Sequence, residues 1–331
     1  MKKLLNIAVI LALLPVLMIT SCKKDEPEAV NAYTTLKTYM VTNGLDLPDL
    51  AKNWIIDPKS TNMGGVVDSI TGTIPSYNVF DIRPAADFAN GHIKNAINVP
   101  LKDVVTVAQN YTDKPICVVC FTGQTAGQAV MALRLSGFDD AVVLKWGMAG
   151  WNADFQGPWA NNSGIENGNI AAGSANWVTT AAPGTGSFDE PVWTSTSTDG
   201  AAILKERVQA VLDAGFAPAS ASDVLANPAN YQIHNYWPAA DYTTFGHFSG
   251  AYNTPVIALA GDLVKAFDPS KEALVYCYTG QTSSIATFWL NVLGYKTKGI
   301  AFGANRLVYN DLKSASKAVY KGPKNWPVVT N

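Results

Sequence analysis

The chain writes one pattern twice, and this repeat constrains its fold more than any other feature. The first copy runs VFDIRPAADFANGHIKNAINVPL at 79–101, ICVVCFTGQTAGQAVMALRLSGF at 116–138 and VLKWGMAGW at 143–151. The second runs IHNYWPAADYTTFGHFSGAYNTPVIAL at 233–259, LVYCYTGQTSSIATFWLNVLGY at 274–295 and GIAFGANRLVY at 299–309. Pro84 to Asp87 recurs as Pro238 to Asp241, and Gly91-His92 recurs as Gly246-His247 after one inserted residue. The loop CFTGQT, Cys120 to Thr125, recurs as CYTGQT, Cys277 to Thr282. A chain of 331 residues with 48% apolar and 15% charged side chains can bury two cores, one per copy.

Within each copy, short apolar β-branched runs alternate with helical patterns. VFDI and ICVVC read as buried strands, while Ile285, Phe288, Trp289, Val292 and Leu293 fall on one face of a helix. Gly137 and Gly294 stand where a helix-terminating glycine is expected. Strands alternating with helices of this length predict an α/β fold: two tandem domains, each a parallel sheet covered by helices on both faces. Sites in such sheets form at the carboxyl ends of strands, where Cys120 and Cys277 fall.

The expected organisation is a leader at 1–21, a tether at 22–35, a first domain at 36–156, a linker at 157–190, a second domain at 191–322 and a tail at 323–331. Residues 157–187 are rich in Gly, Asn, Ser and Ala, and Trp159 and Trp177 are the side chains expected to drape this linker over the domain interface. With 24 basic and 26 acidic residues and no basic stripe, nucleic acid is not an expected partner.

The leader has a basic start, MKK, and an apolar run at 4–19 interrupted by Asn6 and Pro15, too short for a spanning helix. It ends in ITSC, which resembles the lipobox of bacterial lipoproteins. That resemblance implies cleavage before Cys22, lipid attachment to Cys22 and a membrane anchor through it. Lys23 in the second mature position points to the outer membrane, and CKKDE resembles the surface-export tag of Bacteroidetes lipoproteins. Setting Cys22 aside leaves Cys117, Cys120 and Cys277 in an exported protein, so at least one thiol has no internal partner.

A cysteine just before a helix meets the positive end of the helix dipole and unpaired backbone N–H groups. Gly123 and Gly280 allow a tight turn that converges those groups on the sulfur. Such surroundings are expected to lower a thiol pKa from about 8.5 into the range of roughly 3.5–7.5. Thr125 and Thr282 are expected to bond the sulfur or cap the helix.

On these features the chain resembles the tandem rhodaneses, a two-domain branch of the sulfurtransferase family. The matching residues are DIR (81–83), GHI (91–93), NVP (98–100) and the Cys-x-x-Gly-x-Thr loops, with the likeness covering residues 36–155 and 200–310. The resemblance implies five parallel strands per domain. It also implies that a loop cysteine takes a sulfane sulfur from thiosulfate, a polysulfide or mercaptopyruvate, holds it as a persulfide, and passes it to a thiol or cyanide. Cys120 and Cys277 are the candidate catalytic residues. The substrate-binding candidates are Phe121, Thr122, Gly123, Gln124 and Thr125 in one loop, and Tyr278, Thr279, Gly280, Gln281 and Thr282 in the other. No cofactor and no metal is implied.

The chain departs from the family pattern in three respects. Tandem members usually keep the active cysteine only in the second domain, whereas both copies have one here. Asn235 and Trp237 stand opposite Asp81 and Arg83, which read as a buried ion pair of structural role. Neither loop carries Lys or Arg, and Phe121 and Tyr278 point to an apolar or polysulfide-like donor.

Other classes fit less well. Phosphatases of related fold need a longer loop ending in Arg, but Ala126 and Ser283 stand six residues after the cysteines. With CVVC read as a strand, its ends lie roughly 10 Å apart, beyond the ~7 Å Cα limit for a disulfide, so Cys117 reads as core. His92 and His247 read as turn or packing residues, and His234 has no evident partner. A non-catalytic rhodanese-like binding module and a thiol redox protein are the alternative functions.

Overall fold

The computed structural model describes residues 31–330, which belong to one compact unit. The leader at 1–21, Cys22 and the tether up to residue 30 lie outside the described residues. No described helix is long and apolar enough to cross a membrane.

Eleven strands are named in chain order: β1 (Ile55–Ile56), β2 (Asn78–Asp81), β3 (Ile97–Asn98), β4 (Ile116–Val119), β5 (Val142–Leu144), β6 (Trp177–Val178), β7 (Gln232–Asn235), β8 (His247–Phe248), β9 (Tyr252–Asn253), β10 (Glu272–Tyr276) and β11 (Lys296–Gly299). The first sheet has the order β1-β5-β4-β2-β3 and is parallel throughout. The second has the order β11-β10-β7-β9, again parallel throughout.

The second sheet thus has four strands where five were expected. Its fifth position shrinks to a single parallel bridge between Ala219 and Ile300, with Ala219 N bonding the Gly299 carbonyl and Ala301 N bonding the Ala219 carbonyl, both at 2.9 Å. Sequence explains the shrinkage. Pro218 has no N–H to give a ladder, and Ser220 already caps the helix Ala221–Ala226 through Asp223 N at 3.3 Å. One residue is left to pair.

Equivalent registers place equivalent residues side by side. Asp81 lies opposite Val119 and Asn235 opposite Tyr276, so each marks the position just before a loop cysteine. All four residues of β4 are buried, as expected for a central parallel strand covered on both faces.

The two halves meet through their loop helices, Gln124–Leu135 and Gln281–Leu293. Ile285, Phe288, Trp289, Val292 and Leu293 are buried as the periodicity predicts, but so is nearly every other side chain of that helix. The reason is that it is squeezed between its own sheet and the opposing helix. Gln128 Nε2 donates to the Ser284 carbonyl at 2.7 Å across this contact. A single core runs through both halves here, joining Val118, Ala129 and Val130 to Val275, Ile285 and Phe288. Each sheet's outer face has its own core, around Val119, Leu144 and Trp151 in one half and Ile233, Tyr276 and Ile300 in the other.

Three connecting segments are more ordered than their composition suggests. The helix Ala32–Thr42 precedes the first sheet in the chain yet packs against the helices Gly200–Ala214 and Gln281–Leu293 of the second half. In the segment read as a linker, Trp159 is fully buried between the halves, whereas Trp177 sits in β6, pairing antiparallel with β8 of the second half alone. The segment read as a tail lies across the first half. Trp326 N bonds the Trp151 carbonyl at 2.9 Å, Trp326 Nε1 donates to the Pro58 carbonyl at 2.8 Å, and Val329 pairs with His92.

Candidate active site

Both loop cysteines follow directly from a central strand and precede a glycine in left-handed backbone, Gly123 (φ 82) and Gly280 (φ 75), which starts the loop helix. Any side chain at these positions would be strained. The turn aims backbone donors at the sulfur. Cys120 Sγ accepts from Gly123 N at 3.1 Å and Ala126 N at 3.4 Å. Cys277 Sγ accepts from Ser283 N at 3.3 Å, and its thiol donates to Ser283 Oγ at 3.7 Å, which donates in turn to the Gly280 carbonyl at 3.2 Å. The first loop has no such hydroxyl, because Ala126 stands where the second has Ser283.

The predicted lowering of the thiol pKa is not what the geometry gives at Cys120. Burial dominates and pushes that thiol up, against the backbone N–H groups of Ala126, Thr122 and Gly123, which pull it down. Cys117 lies on the opposite face of β4 among Val79, Val142 and Trp151, and burial alone pushes its thiol up. All three cysteines are free.

Thr125 and Thr282, expected to bond the sulfur or cap the helix, are half-buried and make no side-chain hydrogen bond among the described residues. The neighbouring threonines act instead. Thr122 Oγ1 accepts from Gln124 N at 3.4 Å, and Thr279 Oγ1 accepts from Gln281 N at 3.2 Å.

Each loop also rests on a glycine that sequence reading did not single out. A Cβ on Gly147 would stand 2.3 Å from the Cys120 carbonyl oxygen, and one on Gly303 would stand 2.2 Å from that of Cys277. Met148 N and Ala149 N bond the carbonyls of Cys120 and Phe121, and Ala304 N and Asn305 N bond those of Cys277 and Tyr278. To reach this contact, the residue before each glycine, Trp146 (φ 69) and Phe302 (φ 60), takes a left-handed backbone that bulky side chains avoid. The signal was present in the repeat as the paired dipeptides Trp-Gly and Phe-Gly.

The loops are joined by aromatic packing. Trp159 donates Nε1 to the Thr122 carbonyl at 3.1 Å, stacks on Tyr320 with ring centroids 5.3 Å apart, and meets Phe302 edge-on at 5.0 Å. Trp146 meets both Trp159 and Tyr320 edge-on.

Beside each loop the halves differ. Asp81 and Arg83 form the expected buried pair, with Nη2 to Oδ2 at 2.6 Å, and the same Nη2 donates to the Gly91 carbonyl at 2.7 Å. The guanidinium faces the rings of Phe121 and Phe155. In the second half Trp237 replaces Arg83 and stacks on Tyr278, centroids 5.0 Å apart and 6° from parallel. The Tyr278 hydroxyl donates to Asp241, whose carboxylate also receives Lys317 Nζ at 2.6 Å. Burial and the Asp241 contact push the Tyr278 hydroxyl's pKa well up. Asn98 and Asn253 tie down the two segments alike, the first through the carbonyls of Asp81 and Arg83, the second through Asn235 Oδ1 and the Trp237 carbonyl.

The histidines pack. His92 stacks on Phe88 and its Nδ1 donates to the Phe88 carbonyl at 2.9 Å, while His247 stacks on Tyr242 and its Nδ1 donates to the Tyr242 carbonyl at 3.1 Å. His234 is buried against Phe267 without a hydrogen-bond partner among the described residues, and burial lowers its pKa to about 3.

The sequence around the first loop has known relatives. Residues 69–154 match the Rhodanese-like domain family, a span that includes β2 to β5 and the Cys120 loop. Over 78 residues the chain is 35% identical to the thiosulfate sulfurtransferase GlpE of Shewanella oneidensis, which covers 23% of this chain and 77% of that protein. Over 77 residues it is 36% identical to the protein YibN of Escherichia coli strain K12, covering 22% of this chain and 54% of that one. Among solved structures, a thiosulfate sulfurtransferase from Pseudomonas aeruginosa aligns over 90% of this chain and 49% of its own, at 16% identity and a TM-score of 0.29. The chain belongs to the rhodanese-like family.

Proposed function

We propose that the protein is a sulfurtransferase carrying a sulfane sulfur as a persulfide on Cys120, with Cys277 as the second candidate carrier. The observation that carries this reading is the pair of backbone N–H groups, from Gly123 and Ala126, aimed at Cys120 Sγ at 3.1 and 3.4 Å. Donors held in place before the reaction stabilise an anionic sulfur without any side-chain charge.

The chemistry balances as two displacements. The Cys120 thiolate attacks the outer sulfur of the donor, the donor's S–S bond breaks, and its electron pair leaves with the remainder, which is sulfite when the donor is thiosulfate. A thiolate acceptor then attacks the terminal persulfide sulfur and leaves with it, and the electron pair of the breaking S–S bond returns to Cys120 Sγ. The half-buried rings of Phe121 and Tyr278 favour an apolar or polysulfide-like donor.

Two features favour Cys120 over Cys277. Its loop lies beside the Asp81–Arg83 pair, and it has two backbone donors where Cys277 has one donor and a hydroxyl that accepts the thiol's proton. The two-domain reading, with domains at 36–156 and 191–322, is supported by the twofold strand order and the paired loops.

We also propose export and lipid attachment at Cys22, placing the protein at the outer membrane; the lipobox-like ITSC supports this. Incorporation of labelled fatty acid that vanishes in Cys22→Ala tests it, and labelling that persists contradicts it. Sulfur transfer is tested by the intact mass of the protein after incubation with thiosulfate or polysulfide, in the wild type and in Cys120→Ser and Cys277→Ser. A disulfide between Cys120 and Cys277 in the purified protein would favour a redox role instead.

A further inference from the structure

The lysines of this chain are not spread evenly. A cleft of 370 Å³ opens at the carboxyl end of β1 and β5, walled by Asp57, Pro58, Lys59, Lys145 and Trp146 on one side and by the 316–324 segment on the other. Lys59, Lys145, Lys317, Lys321 and Lys324 line it, against Asp57 as the sole lining carboxylate among the described residues. The whole chain carries a net charge of −2, so this concentration of positive charge is local.

The charges are only partly neutralised. Asp57 is shared between Lys59 and Lys145, at 3.5 Å to each. Lys317 is turned to Asp241 at 2.6 Å. Lys321 and Lys324 have no ion-pair partner among the described residues, and both are exposed. The walls are also fixed before any ligand arrives. Tyr320 donates its hydroxyl to the Ala149 carbonyl at 2.6 Å, Lys324 N bonds the Gly150 carbonyl at 2.9 Å, and Trp326 holds Pro58. Like charges gathered on one cleft repel one another, a repulsion that a bound anion would relieve.

We propose that this cleft is a binding site for a small polyanion bearing at least two phosphate or sulfate groups. Its size suits a small molecule, and lysines, as mobile point charges, suit spread anionic groups better than a single planar carboxylate. The cleft borders the cysteine loops, through Trp146 beside the first and through Lys317, whose partner Asp241 binds Tyr278, beside the second. The proposal stands whether or not either cysteine carries sulfur.

Titration calorimetry with pyrophosphate on the full chain, at low and high salt, tests it. The wild type should bind with a dissociation constant below about 1 mM at low salt and more weakly at high salt. Lys321→Gln combined with Lys324→Gln should weaken binding about tenfold or more, since both residues line the cleft and are exposed. No binding to the wild type, or equal binding to the double variant, would overturn the proposal.

Discussion

Gln124 and Gln281 each bind the other half's cysteine-loop region. Gln124 Oε1 accepts from Phe302 N at 2.9 Å, and Gln281 Nε2 donates to the Thr122 carbonyl at 2.9 Å. The contact is so close that a Cβ on Gly123 would stand 2.3 Å from Gln281 Nε2, and one on Gly280 2.4 Å from Gln124 Oε1. The repeated Gly-Gln of the two loops is therefore a clasp between halves as well as a turn.

Removing Gln124 leaves the Phe302 N–H without its partner, and removing Gln281 leaves the buried Thr122 carbonyl with Trp159 Nε1 alone. Gln124→Ala and Gln281→Ala should each lower stability by about 1–3 kcal/mol in urea unfolding. Changes below about 0.5 kcal/mol in both would show that the clasp does not hold the halves together.

Gly147 is the support under the first loop. Gly147→Ala drives a methyl group into the Cys120 carbonyl and strains a backbone at φ 58. The expected result is a loss of about 2 kcal/mol or more of stability, with sulfur loading at Cys120 reduced more than that at any other cysteine. Unchanged stability and loading would remove Gly147 from the account.

Arg83 is fully buried and neutralises Asp81. Arg83→Met leaves that carboxylate unpaired and should cost about 3–5 kcal/mol by chemical denaturation. Copying the second half, as Asp81→Asn with Arg83→Trp, should recover part of the loss, because it removes the stranded charge. A double variant less stable than Arg83→Met would contradict the equivalence drawn between the two sites.

Burial holds Cys120 largely as the neutral thiol at neutral pH, since its pKa is pushed up. The attacking thiolate is then the minor form, and its fraction grows about tenfold per pH unit below the pKa. Initial rates of sulfur loading should therefore rise steeply between pH 6 and 8 with no plateau. A rate that levels off below pH 7 would mean that the N–H groups outweigh burial.

How far the fold was legible depended on which forces are local. The strand, loop and helix of each copy were readable because hydrophobic period, a glycine turn and a cysteine at the strand end lie within a few residues, as at Ile116–Leu135. The missing fifth strand was foreshadowed only by Pro218. The place of Trp159 between the halves was expected, but the clasp and the return of Trp326 to the first half were not readable, because each joins residues more than 30 apart in the chain. The expected low thiol pKa failed for a related reason. The donors aimed at Cys120 are local, whereas the burial that outweighs them comes from the whole junction. The lysine cleft gathers Lys59, Lys145 and the 317–324 segment, which no linear charge pattern brings together.

The central claim is that the Cys120 loop carries sulfur. Intact-mass measurement after incubation with thiosulfate or polysulfide tests it most directly. The account predicts that the wild type gains a sulfur atom, that a thiol acceptor removes it, and that Cys120→Ser does not gain it at that site. No mass gain in the wild type with any donor, or an undiminished gain in Cys120→Ser, would contradict it.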